Sequence, residues 1–225
     1  MEIDPFALAA MIDHTLLAPE ATSSDIAKLC AEAVELGVGT VCVSPSHVAL
    51  AHGLLPATIQ VASVVGFPSG AHRSEVKALE ADLALDSGAS EIDMVINLAH
   101  VLSGDWRGVE DDVAEVRAAA HRPVVLKVII ESGALTDEQI VETCKSAVAA
   151  GADFVKTSTG FHKTGGATTR AVALMRSTVG LSIGVKASGG IRTLADALQM
   201  IEAGANRIGA SASRAILGAA SFDRN

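Results

Sequence analysis

Three strand-like runs of this chain each carry a lysine in their interior: VVLKVII with Lys127, DFVKTS with Lys156 and SIGVKAS with Lys186. Lysine is among the residues least often buried, because an unpaired ammonium away from water is costly. A fourth run, EIDMVIN, places Asp93 between Ile92 and Met94. Side chains alternate along a strand, so Phe154, Lys156 and Ser158 share one face, and Val155 and Thr157 take the other. The same parity turns Lys186 inward with Val185 outward, and Asp93 inward. Four successive strands are thus expected to send Asp93, Lys127, Lys156 and Lys186 into one cavity. Desolvation and like-charge repulsion disfavour every ammonium crowded there. One lysine can then be a neutral amine near pH 7, the form that attacks a carbonyl. A second lysine and the carboxylate can stay charged and move protons. For any one lysine, a buried ion pair that merely fills the interior explains as much. Three on successive strands beside an aspartate favour chemistry.

A second constellation suits an anion. ASGGIRT follows the run of Lys186, and its Gly189 and Gly190 lead to a helix near Thr193. GASASR follows the last strand, with Gly209, Ser211 and Ser213 before a short helix. Glycine-rich turns into helices let backbone N–H groups approach a phosphate closely. Either turn alone is only a turn; the pair, after two consecutive strands, predicts a phosphate site. The loop TGFHKTGGAT (159–168) reads equally as a lid, with Thr159 and Gly160 near substrate and Lys163 reaching an anion, or as a surface turn. Cys42 lies mid-strand, where a small core residue is the ordinary reading. It is kept with Lys127, Thr159 and Gly160 as a candidate substrate-binding position. Asp13, His14 and Thr15 on the first strand offer polar contacts, or Asp13 anchors the floor or rim of the fold.

Repeated βα units must position these groups. Strands are predicted at 12–17, 40–44, 59–66, 91–97, 124–130, 153–158, 182–188 and 207–211. Helical patterns fall at 24–36, 75–87, 106–120, 136–150, 168–179 and 193–203. The phrases ELGVGT, DSGASEID, AAGADFVK and EAGANRIG repeat one grammar: helix end, glycine, small residue, strand. Eight such strands with intervening helices predict a single-domain (β/α)₈ barrel spanning 1–225, with its active site at the C-terminal strand ends. A doubly wound open sheet is the alternative, but no GxGxxG follows the first strand.

Composition narrows the function classes. Of 225 residues, 49 % are hydrophobic and 3 % aromatic, so Ala, Val, Ile and Leu must build the core. A formal net charge of −9 argues against nucleic acid or anionic membranes as partners. The acidic N-terminus does not read as a signal peptide, and no apolar run is long enough to span a bilayer. Three cysteines without a CxxC fit free thiols in a reducing cytoplasm. Seven histidines without HxH or HExxH predict no preassembled metal site.

The motifs IDHTLL, EIDMVIN, LKVIIE, FVKTSTGF and GVKASGGIRT, in this order, resemble deoxyribose-phosphate aldolase from about Ile12 to Arg214. The resemblance implies a metal-independent class I aldolase without a cofactor. Such an enzyme reversibly cleaves 2-deoxy-D-ribose 5-phosphate to acetaldehyde and D-glyceraldehyde 3-phosphate in deoxyribonucleoside breakdown. It implies that Lys156 forms the Schiff base, and that Lys186 lies beside it and lowers its pKa. Asp93 would act with Lys186 and a water in proton transfer. Thr159 and Gly160 fall in the substrate-contacting stretch, Gly189, Gly190 and Ser211 in the phosphate site, and Lys127 in a supporting electrostatic role. A homodimer or larger homo-oligomer is also expected.

The chain departs from the family at three places. Phe161 stands where some members have a substrate-contacting lysine, and Ala212 where some have a second serine. Many members end in a tyrosine, whereas this chain has no tyrosine and finishes SFDRN. Two other readings compete: a transaldolase-type Schiff-base barrel, and a sugar-phosphate-binding barrel without turnover. Binding alone would not call for three such charges in the interior.

Overall fold

The computed structural model describes residues 3–220. Eight parallel strands close on themselves: β1 Ile12–Leu16, β2 Thr40–Val43, β3 Gln60–Val65, β4 Glu91–Val95, β5 Val125–Ile129, β6 Phe154–Lys156, β7 Gly184–Ser188 and β8 Arg207–Ala210. Each pairs with the next, and β8 pairs with β1, which removes every sheet edge. This is the (β/α)₈ barrel expected from the repeats, in a single domain; the terminal SFDRN lies outside the described residues.

Six expected helices are present: α2 Ser23–Leu36, α4 Ser74–Asp86, α6 Trp106–Ala119, α7 Asp137–Ala149, α8 Thr169–Val179 and α9 Leu194–Glu202. Several of their starts are capped as their sequences suggest. Thr22, Thr136 and Thr193 each accept from the backbone three residues on, and Asp25, Gln139 and Asp196 close the capping box. Their ends use the repeated glycine: Gly37, Gly88, Gly151 and Gly204 all sit at positive φ, where a β-carbon is disfavoured. Short helices α1 Pro5–Ala10, α3 Val48–Leu54 and α5 Leu98–Ser103 were not expected, and α10 Ser213–Gly218 ends the described chain. None of these three exceeds two turns, too short for a periodic stripe to register.

Two cores result. The larger lies between barrel and helices, where Ile12, Val41, Ile92, Leu126, Val155, Val185 and Ile208 face outward. The smaller fills one side of the barrel interior with Cys42, Ala62 and Val64, joined by Leu17 and Phe67 at the mouth. Register puts Asp13 level with Thr40 and Val64 level with Asp93, so the inward parity passes from the apolar side to a charged side. That charged side runs from β4 round to β1.

Candidate active site

Asp93, Lys127, Lys156 and Lys186 meet inside the barrel as their parity predicts. Asp93 joins them: its Oδ1 accepts from Lys127 Nζ at 2.7 Å, and its Oδ2 from Lys156 at 2.7 Å and Lys186 at 2.6 Å. Three further groups, all on strands already named, complete the cluster. Lys127 Nζ also lies 2.5 Å from Glu91 Oε2. Glu91 Oε1 accepts from Arg207 Nη2 at 3.1 Å. Arg207 Nη1 donates to Asp13 Oδ1 at 3.1 Å, and Asp13 Oδ2 returns to Lys186 Nζ.

These contacts close a six-membered ring of alternating charge: Asp13, Arg207, Glu91, Lys127, Asp93, Lys186. Each member touches at least two groups of opposite sign, which is what a buried ion needs to offset its desolvation. The ring is electrically neutral. Lys156 stands outside it as a seventh group, and it touches only Asp93 Oδ2, which Lys186 already occupies.

This arrangement sets the direction in which each amine shifts. Burial pulls Lys156 below the ordinary lysine value, and the neighbouring Lys186 adds to the fall, while Asp93 opposes it. Desolvation therefore outweighs the like-charge effect expected from sequence. Burial also opposes the charge on Lys186, but the carboxylates of Asp13 and Asp93 overturn it and hold the group above its ordinary value. Lys127 likewise ends raised, through Asp93, Glu91 and Asp13. Burial works against ionised Asp93 too, yet Lys127, Lys156 and Lys186 together hold its carboxyl well below the usual carboxylate range.

A pocket of about 330 Å³ opens at the C-terminal end of the strands. Lys156 is the one cation of the cluster on its wall. Lys127 and Lys186 have no exposed surface and lie beneath. Cys42 is also fully buried, within the inner apolar core, and neither it nor Lys127 reaches the wall. Thr15, Thr159 and Gly160 do. His14 does not: it packs outward, with Nδ1 2.8 Å from Ser213 Oγ.

The far wall suits an anion. Gly189, Gly190 and Ser211 line it, and no hydrogen bond among the described residues takes their backbone N–H groups. The start of α9 contributes less than expected, because Asp196 already accepts from the N–H groups of Arg192 and Thr193. Arg192 also lines this wall, whereas Lys163 is exposed and off it. An arginine two residues past a glycine pair reads from sequence as an ordinary exposed turn residue.

The 159–168 loop is pinned along its length. Glu131, two residues past the end of β5, takes a left-handed φ of 53°, and its Oε2 accepts from Thr159 N at 3.2 Å and Thr159 Oγ1 at 2.5 Å. The Phe161 ring meets Phe67 edge-on at 5.2 Å. Ala167 N donates to Ser188 and Gly189 carbonyls, and a β-carbon on Gly166 would come within 2.1 Å of Gly189 O. Only glycine permits that approach, which locks this loop against the anion wall.

The family model for DeoC/LacD family aldolases matches residues 7–219. A deoxyribose-phosphate aldolase of Kocuria rhizophila is 59 % identical over 210 residues, covering 93 % of this chain and 95 % of the relative. One of Mycolicibacterium paratuberculosis is 60 % identical over 214 residues, with 93 % and 95 % covered. Among solved structures, an aldolase designated QR15 superposes with a TM-score of 0.89 at 39 % identity, covering 94 % of this chain and 95 % of its own. The tetrameric deoxyribose phosphate aldolase of Aeropyrum pernix gives 0.84 at 37 % identity, covering 96 % and 92 %.

Proposed function

This chain belongs to the DeoC/LacD family of aldolases, and from that premise we propose that it cleaves 2-deoxy-D-ribose 5-phosphate reversibly to acetaldehyde and D-glyceraldehyde 3-phosphate. The reaction runs through a Schiff base on Lys156. The observation that carries this reading is that Lys156 alone of the cluster reaches the pocket while standing outside the neutral ring.

The neutral amine of Lys156 attacks the aldehyde carbon, and loss of water gives an iminium. Its new positive charge lies where Asp93 Oδ2 already waits at 2.7 Å, so the carboxylate stabilises it without reorganising. The C3 hydroxyl gives up its proton, the C2–C3 bond breaks, and its electron pair flows into the iminium to form an enamine. D-Glyceraldehyde 3-phosphate leaves. Protonation of the enamine carbon and addition of water then release acetaldehyde and restore the amine. Lys186 and Asp93, joined at 2.6 Å beneath the pocket, hold and return the proton through a water. The electron sink is the iminium itself, so the cycle needs no cofactor.

The phosphate is held by the backbone N–H groups of Gly189, Gly190 and Ser211 together with Arg192. Replacing Arg192 with alanine removes a charge-assisted contact of about 1.5–3 kcal/mol. The expected result is a KM for 2-deoxyribose 5-phosphate raised by about 10- to 100-fold, with kcat/KM for unphosphorylated 2-deoxyribose little changed. Steady-state kinetics on both sugars checks this.

We further propose a cytoplasmic homo-oligomer acting in deoxyribonucleoside breakdown. Among the described residues no helix is long and apolar enough to cross a membrane, and α4 presents exposed Val76, Leu79 and Leu83 along one side. The test of function is borohydride reduction of the protein with acetaldehyde, followed by intact mass and peptide mapping. A two-carbon adduct on Lys156 is expected. An adduct on another lysine overturns the assignment of the nucleophile, and no adduct overturns the aldolase reading.

A further inference from the structure

We propose that Arg207 and Glu91, on the barrel floor, are positioning residues for the reactive amine: by closing the ring beneath Lys156 they determine that this lysine, and no other, is left without a charge partner of its own. The inference rests on Lys156 being the Schiff-base residue. Neither floor residue lines the pocket, and nothing in the reaction needs them to touch substrate.

Charged groups from five other strands share the barrel interior with Lys156. Strand β1 supplies Asp13, β4 supplies Glu91 and Asp93, β5 Lys127, β7 Lys186 and β8 Arg207, and β2 adds only the thiol of Cys42. β3 turns Ala62 and Val64 inward and supplies no ionisable group. With every one of these charged, three carboxylates face four cations, one of them Lys156. Full protonation leaves the buried cluster one positive charge in excess, and deprotonating Lys156 removes it.

Arg207 is the source of that excess. An arginine stays charged in any protein setting, so it cannot be the group that yields. It is also firmly seated. Nη1 donates to Asp13 at 3.1 Å and Thr40 Oγ1 at 2.8 Å, Nη2 to Glu91 at 3.1 Å, and the guanidinium lies 5.6 Å from the Phe154 ring centre. Glu91 passes the effect along the opposite arm, because its second oxygen holds Lys127, which in turn holds Asp93 Oδ1.

Removing a floor cation and removing a floor anion must therefore act on Lys156 with opposite sign. Arg207→Met leaves three carboxylates and three lysines, a set that is balanced only when Lys156 keeps its proton. Glu91→Gln leaves two carboxylates against four cations and drives the proton off more strongly. A purely structural role would push both variants the same way.

The experiment measures the rate of acetaldehyde trapping on Lys156 by borohydride as a function of pH, which reads the free amine directly and needs no turnover. The midpoint is expected to rise by about one pH unit in Arg207→Met and to fall by about as much in Glu91→Gln. Arg207→Lys, which keeps the charge, should stay near the parent. The double variant Arg207→Met/Glu91→Gln should return toward it, and it retains a charge-matched interior if the single arginine variant does not fold. Unshifted midpoints in folded variants that still label at Lys156, or shifts of the same sign, would overturn the inference. Labelling elsewhere in the parent protein would instead refute the proposed nucleophile.

Discussion

Replacing Lys156 with alanine is expected to abolish cleavage of 2-deoxyribose 5-phosphate, by about 10⁵-fold or more, and to leave the fold intact. Both halves follow from the position of this residue. Chemically, no other amine can substitute, since Lys127 and Lys186 are fully buried and each is held by at least two carboxylates. Structurally, Lys156 is the one cation whose removal leaves the alternating ring closed and neutral. Asp93 Oδ2 keeps Lys186 as a partner, so no carboxylate is orphaned. The melting temperature of the variant should therefore stay within a few degrees of the parent. Turnover and a thermal melt on the same preparation check the pair of outcomes. Activity comparable to the parent would sink the Schiff-base assignment.

Asp93→Asn is expected to fail on both counts. Asp93 is the one carboxylate that serves three ammonium groups, and it links the two arms of the ring. An amide of the same shape offers one acceptor and no charge. Breaking a buried ion pair from one side costs about 3–5 kcal/mol, because the partner charge remains. Turnover should fall by about 10³-fold, the scale of a lost general acid–base group.

The pH dependence of this loss has a definite sign. The lysines hold the Asp93 carboxyl below its unfolded value of about 4, so it is a group whose folded pKa is depressed. Its contribution is fully present above about pH 5 and disappears as pH falls below the unfolded value toward the folded one. The stability gap between parent and variant should be constant from pH 5 to 7 and narrow at lower pH. Urea unfolding across that range measures it. A gap that widens on acidification would contradict the placement of the charge.

Much of this site was legible in the chain because strand parity is local. Lys127, Lys156, Lys186 and Asp93 each sit at the middle of a β-branched run, where an inward charge is conspicuous. Glu91 and Arg207 are inconspicuous in the chain, since each opens its strand, and a charge at that position usually faces water. Their meeting depends on barrel closure: β8 must come beside β1, and the stagger of the strands must lower Arg207 onto the floor. No window of sequence encodes that. Glu131 closes the motif LKVIIE, and its left-handed backbone cannot be read from its type. The glycine pair at 189–190 was conspicuous in the chain, and it lines the pocket. The reach of Arg192 depends on how α9 caps itself with Asp196, which turns its N-terminus inward on its own side chains.

The burial of the ring also separates two responses to the medium. Dissolved ions screen charges they can approach, with a Debye length near 8 Å at physiological ionic strength. Counterions cannot enter a barrel interior in which Asp13, Asp93, Lys127 and Lys186 expose no surface. Arg192 stands at the open mouth, in reach of the bulk electrolyte. Added salt therefore competes for the phosphate grip while the proton inventory beneath Lys156 stays as it was. Capture of the sugar phosphate answers to the electrolyte of the surrounding solution, and bond cleavage is insulated from it.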